Sequence, residues 1–128
     1  MKTETTNHVL IIDDDVDTCF LLNRILDAKN IRAVCVNTLQ QARVVFETMQ
    51  PSLIFLDNNL PDGYGLNFIP LIRDKFPKAQ IIMITAHSND FNKRAALMKG
   101  AVLFMTKPFN SDEIYRALDY LAKTDSRP

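Results

Sequence analysis

Val9-Leu10-Ile11-Ile12-Asp13-Asp14-Asp15 decides the fold, because four apolar residues, three of them β-branched, run directly into three carboxylates. A run so short and so uniformly apolar reads as a strand covered on both faces, the condition of a strand inside a parallel sheet. Its acids then fall where open α/β sheets carry their chemistry, in the crevice beyond the carboxyl ends of the strands.

Runs of the same kind recur at fairly even intervals: His8 to Ile12, Ile31 to Val36, Ser52 to Leu56, Gln80 to Ile84 and Val102 to Met105. Between them the apolar residues take helical spacing, as in Leu39, Ala42, Phe46 and Met49, or Ile114, Leu118 and Leu121. This alternation predicts an α/β protein of doubly wound (βα)5, flavodoxin-like, three-layer architecture. Its five-stranded parallel sheet is joined by right-handed crossovers, in the order 2-1-3-4-5. One domain is expected over residues 8–123, with a frayed segment at 1–7 and a polar tail at 124–128.

Punctuation supports the division. Asp15 is expected to cap the first helix, Ser111 the last, and Gly100 to end the fourth. Pro70 in a helix interior costs about 3 kcal/mol, so the third helix is expected to start late, with Asn67 as its cap.

The 128 residues are 47% hydrophobic and 23% charged, with 15 Lys and Arg against 15 Asp and Glu. Such a chain builds a core without metal or disulfide. Its balanced charge disfavours direct binding of nucleic acid, which needs a cationic surplus. No apolar run approaches the roughly 20 residues of a membrane span, and the polar N-terminus is unlike a secretory signal; we therefore expect no membrane partner and a cytoplasmic location. Cys19 and Cys35 lie in apolar-rich segments without Cys-x-x-Cys spacing and read as buried thiols rather than as a disulfide or metal pair.

Every strand end carries polar chemistry: Asp13-Asp14-Asp15 after the first, Asp57 after the third, Thr85 after the fourth and Thr106-Lys107-Pro108 after the fifth. In the 2-1-3-4-5 order these converge. Clustered carboxylates repel and call for a cation, and hard oxygen ligands suit Mg²⁺ or Mn²⁺. Zinc is disfavoured, since His8 and His87 are the only histidines and sit far apart in the pattern.

With Leu56-Asp57-Asn58-Asn59-Leu60-Pro61-Asp62-Gly63-Tyr64-Gly65, Ile84-Thr85-Ala86 and Thr106-Lys107-Pro108-Phe109 added to the opening stretch, the chain resembles the receiver domain of two-component response regulators over nearly its whole length. The resemblance implies that Asp57 accepts a phosphoryl group from a phosphohistidine on a sensor histidine kinase or a histidine phosphotransfer protein. It implies that Asp14, Asp57 and the Asn59 carbonyl ligate Mg²⁺, with Asp13 holding it largely through water. Lys107, through a cis Lys-Pro bond, and Thr85 would contact the phosphoryl oxygens, Phe104 would act as the switch aromatic, and Asn59 and His87 would tune dephosphorylation. An effector domain or protein would read the switch, and the domain would be a monomer or a phosphorylation-dependent dimer.

Bland readings stand beside these. Phe104 fits core filling, His87 a solvated loop, and Gly63 and Gly65 plain turn formers. Asn58 departs from the apolar residue often found after the phosphoacceptor. Gly100-Ala101-Val102-Leu103 lacks the Asp-Asp pair of winged-helix regulators. Two other functions remain open from sequence: a Mg²⁺-dependent phosphohydrolase with Asp57 as nucleophile, although Asn59 stands where such enzymes place an acid, and a pseudo-receiver scaffold that needs no phosphorylation.

Overall fold

A computed structural model describes residues 8–87 and 89–125. Five strands, β1 (Val9–Ile12), β2 (Ala33–Val36), β3 (Leu53–Asp57), β6 (Gln80–Thr85) and β7 (Leu103–Thr106), form one parallel sheet in the order β2-β1-β3-β6-β7. Between β3 and the next helix, β4 (Asn59–Leu60) and β5 (Gly63–Tyr64) make a small antiparallel hairpin absent from the sequence reading. Without that hairpin the order is the expected 2-1-3-4-5.

Strand alternation sorts the core into two layers. Leu10, Ile12, Ile54, Leu56, Ile81 and Met83 face α2 (Leu39–Val45), α3 (Gly65–Lys75) and α4 (Asp90–Lys99). Val9, Ile11, Leu53, Phe55, Ile82 and Ile84 face α1 (Val16–Asp27) and α5 (Ser111–Asp125). The three central strands are buried on both faces as their composition requires, whereas β2 and β7, at the edges, are only partly covered. No helix among the described residues is long and apolar enough to cross a membrane.

Four local expectations need correction. The third helix begins at Gly65, so Asn67 lies inside it and Pro70 is an interior proline. Pro70 faces solvent while Phe68, Ile69 and Ile72 are buried; three such burials at about 1.5–3 kcal/mol each outweigh a proline cost of about 3. The last helix is capped one residue earlier than expected. Asn110 Oδ1 accepts from the Glu113 amide at 2.9 Å while the Asn110 amide donates to Glu113 Oε1 at 3.0 Å, a reciprocal capping box. That helix continues through Asp125, into the expected tail; residues 1–7 and 126–128 lie outside the described residues.

Cys19 and Cys35, expected as two buried thiols and not as a pair, bring their sulfurs into contact. Cys35 pairs with Ile11 across β2 and β1, and the crossover helix α1 lays Cys19 over the same layer. A separation of 16 residues in sequence carries no motif for that contact. The expected caps at Asp15 and Gly100 are present. Asp15 Oδ1 accepts from the Asp17 amide at 3.0 Å, and Gly100 ends α4 at φ 127°, where a side chain would also collide with Arg73.

Candidate functional site

β1, β3, β6 and β7 end side by side, and the residues at those ends build the site. Asp13, fully buried, is held by its backbone: its amide donates to Val36 O at 3.0 Å, and its carbonyl accepts from Asn37 Nδ2 at 3.0 Å. Its Oδ1 accepts from the Asp15 amide at 2.9 Å, and its Oδ2 faces Lys107 Nζ at 2.7 Å. Asp14 is exposed. Asp57, the last residue of β3, is 5% exposed, with Oδ2 at 3.7 Å from the same ammonium.

Carboxylate oxygens of Asp13, Asp14 and Asp57 lie within 4.8 Å of one another. Three acids against one lysine leave an uncompensated negative centre of oxygen donors only, which fits Mg²⁺ or Mn²⁺ and offers a soft metal nothing. Its strain shows in Asp57: burial and then the Asp13 charge push the carboxyl up to about 6, against the opposing pull of Lys107. For Lys107, burial works against the ammonium, but the hydrogen bond and charge of Asp13, with Asp57 and Asp15 behind it, win and raise its pKa.

Of the other sequence-predicted residues, Thr85 stands at the same edge of the sheet, while Phe104 lies further back on β7 and Asn59 and His87 line a neighbouring cavity. Thr85, 1% exposed, ends β6; its carbonyl accepts from the Lys107 amide at 2.8 Å, and its hydroxyl accepts from the His87 amide at 3.2 Å. The Lys107-Pro108 bond is cis. Phe104 pairs with Met83 in the β6–β7 register, two residues before the Thr85–Thr106 pair. Alternation therefore puts Phe104 and Thr85 on one face of the sheet, and Phe104 packs half-buried against the α2-α3-α4 layer. His87 and Asn59 are exposed and line a cavity of about 380 Å³ with Asn58, Tyr64, Asn67 and Asn92. A larger cavity of about 720 Å³ opens at the opposite end of the sheet, near Pro51, Phe76 and Leu121; it has no acid among its walls and takes no part in this chemistry.

Three contributors escape sequence reading. Asp62 accepts from the Leu39 and Gln40 amides at 2.9 Å each, pinning the β4–β5 hairpin to the start of α2. Pro-Asp-Gly advertises a turn, but nothing in it names the helix that its acid caps. Asn58, buried, accepts from the Leu66 amide at 3.0 Å through Oδ1 and from the Gly65 amide at 2.8 Å through its carbonyl. Gly65 is more than a turn former, since a Cβ there would run into the Asp57 carbonyl and the Leu56 side chain.

A parallel five-stranded sheet whose adjoining strand ends gather buried acids, a lysine and a threonine defines the class, and membership of a family can be stated. Residues 9–119 match the family model of the response regulator receiver domain, and the chain belongs to that family, as a receiver domain of two-component signalling. The transcriptional regulatory protein KdpE of Escherichia coli is 34% identical over 111 residues, covering 87% of this chain and 49% of that protein. The nitrogen assimilation regulatory protein NtrX of Azorhizobium caulinodans is 33% identical over 119 residues, covering 88% of the chain and 26% of NtrX. The chain thus spans half or less of these two relatives. Among solved structures, the beryllofluoride-activated NtrC4 receiver domain dimer superposes with a TM-score of 0.83 at 30% identity, covering 88% of this chain and 93% of that one. A two-component response regulator from Clostridium difficile gives 0.90 at 26%, covering 95% and 100%. This membership sets aside the phosphohydrolase reading.

Proposed function

We propose that this receiver accepts a phosphoryl group on Asp57 from a phosphohistidine of a sensor kinase or phosphotransfer protein, and that the modification re-sets its output surface. The observation that carries the reading is the convergence of Asp13, Asp14 and Asp57 within 4.8 Å, with the Lys107 ammonium between two of them. An Asp57 carboxylate oxygen attacks phosphorus, the phosphorus–nitrogen bond of the donor breaks, and the leaving imidazole takes up a proton. Phosphoryl transfer gives the protein little covalent work beyond supplying the nucleophile, and leaves it positioning and charge neutralisation.

Asp14, Asp57 and the Asn59 carbonyl would hold Mg²⁺ directly and Asp13 through water. Bound there, the ion supplies positive charge to the phosphoryl oxygens. Lys107 supplies a second positive charge and leaves Asp13 in part to do so. Thr85 already uses its oxygen as an acceptor from His87, so its hydroxyl proton is free to be donated to a phosphoryl oxygen. That donation draws Thr85 inward, and Phe104, on the same face two residues along the neighbouring strand, moves into the space it leaves. Such a switch needs two states only a few kcal/mol apart.

The same chemistry allows self-phosphorylation by small phosphodonors and self-dephosphorylation by water, tuned at Asn59 and His87. A pseudo-receiver has no use for an acid cluster that shares a lysine at the strand ends, and we set it second. Exposed Val16 and Phe20, on the first turns of α1 beside Asp14, offer the phosphodonor protein an apolar footing. The NtrC4 receiver was solved as a dimer in its beryllofluoride-activated form, and we extend phosphorylation-dependent pairing to this chain. We also assign it to the cytoplasm, where such kinases present their phosphohistidine. Incubation with acetyl phosphate and Mg²⁺ should add one phosphoryl group by intact mass, and Asp57→Asn should abolish the addition; equal labelling of the variant would move the site elsewhere.

A further inference from the structure

We propose that Asn58 is a positioning residue for phosphoryl acceptance at its neighbour Asp57: it caps α3 from the strand side and thereby fixes the chain at Asn59. The inference rests on the metal reading above, which assigns the Asn59 carbonyl to Mg²⁺. A helix begins with amides that lack intrahelical partners, usually satisfied by the side chain of the residue just before it. In α3 that residue is Tyr64, which makes no such bond. The acceptors come instead from Asn58, six residues further back, whose carbonyl takes the Gly65 amide at 2.8 Å and whose Oδ1 takes the Leu66 amide at 3.0 Å.

The consequence is geometric. Residues 59–64 must leave Asn58 and return to it, and they do so as the β4–β5 hairpin, with Asn59 paired to Tyr64 and Leu60 to Gly63. The far end of that loop is held to α2 by Asp62. With Gly65 pressed on the Asp57 carbonyl, the near end has no slack except through Asn58. With no cap from Tyr64, an apolar side chain at position 58 would leave the Leu66 amide without its acceptor, and the Gly65 amide to Asn58 carbonyl bond would hold the near end in place of two such bonds, beside the Asn59 carbonyl that the metal reading turns to the ion. Burial holds the carboxamide in place, at 8% exposure. Groups that orient a metal ligand from behind typically change affinity by tenfold or more when removed.

A cap that only stabilises α3 and a cap that positions Asn59 make different demands, and a substitution at Tyr64 separates them. Calorimetric Mg²⁺ titration and thermal melting would be run on the wild type, Asn58→Ala, and the double variant Asn58→Ala/Tyr64→Ser, in which a serine supplies a cap at the usual place. We expect Asn58→Ala to lower Tm and weaken Mg²⁺ by about tenfold, and the serine to recover Tm while leaving Mg²⁺ weak. Recovery of Mg²⁺ affinity along with Tm, or a single variant that binds Mg²⁺ like the wild type, would overturn the inference. Should Asn58→Ala be too unstable to titrate, the double variant decides by itself. Asp14→Ala serves as reference: if the wild type binds Mg²⁺ no better than it does, the metal reading fails, a result distinct from failure at Asn58.

Discussion

Lys107 Nζ stands 2.7 Å from Asp13 Oδ2 and a full ångström further from Asp57 Oδ2. The lysine thus belongs mainly to the buried acid that follows β1 and not to Asp57, the proposed phosphoacceptor. Asp13 is wholly buried while Lys107 keeps 15% of its side chain in solvent, so the ammonium is the partner able to move.

Lys107→Ala should therefore strand Asp13. Removing one member of a buried pair costs about 3–5 kcal/mol, less here because the lysine is partly solvated. Mg²⁺ should bind the variant as tightly as the parent or more so, with one repelling charge gone, and should raise its Tm more than it raises the parent's. Phosphorylation should no longer reach the switch. Unchanged chemical-shift perturbations around Phe104 in the phosphorylated variant would show that Lys107 does not couple the two.

The raised pKa of Asp57 has a sign that can be checked. Between its ordinary 3.8 and about 6 the folded protein keeps a proton that the unfolded chain has released. Stability from this group is thus full below the lower value and lost as pH rises through the window, at about 1.4 kcal/mol per pH unit and up to about 3 in all. Asp57→Asn cannot ionise, so without metal it should be more stable than the parent at neutral pH, with the gain gone near pH 4. Mg²⁺ should stabilise the parent and not the variant. A difference in Tm that stays flat across that range would mean that Asp57 is not strained in the folded state.

Gly65→Ala tests the close approach behind Asp57. The new Cβ would meet the Asp57 carbonyl and the Leu56 side chain, and main chain at the end of a central strand cannot yield as a surface side chain can. Overpacking of this kind costs about 1–3 kcal/mol, and the displaced β3 end should also slow acetyl phosphate labelling. Gly65→Ala with parental Tm and labelling rate would show the contact to be loose.

How much of this was legible depends on the range of each interaction. Residues placed where a strand ends, Asp13, Asp57, Thr85 and Lys107, stand out because apolar runs deliver them to one edge whatever the details between. The sheet order and the layers come from the same runs. The cap from Asn58 to Leu66, the clasp of Asp62 on α2 and the meeting of Cys19 with Cys35 join segments that only the folded topology brings together, so no local spacing records them. Pro70 misled for a related reason: a local penalty was legible, while the buried face of Phe68, Ile69 and Ile72 that overrides it depends on what α3 packs against.

The proposed role of His87 concerns how long the signal lasts. Loss of the phosphoryl group from Asp57 needs a water in line with the oxygen–phosphorus bond, and the residues flanking that approach control it. The His87 amide is tied to Thr85 Oγ1 at 3.2 Å, so the chain at this position is anchored to the site although the ring is exposed. That ring shares the cavity of Asn58, Asn59 and Asn92, none of which is a charged group that would set the imidazole up as a base. The role we propose for the ring is therefore one of bulk, excluding water. His87→Ala should shorten the phosphoryl lifetime by up to about tenfold, equivalent to about 1.4 kcal/mol of barrier, with Mg²⁺ affinity nearly unchanged. The decay of phosphorylated protein after removal of the donor measures it directly. A longer lifetime would show that the imidazole orients water instead, and an unchanged one would leave His87 with no part in the reaction.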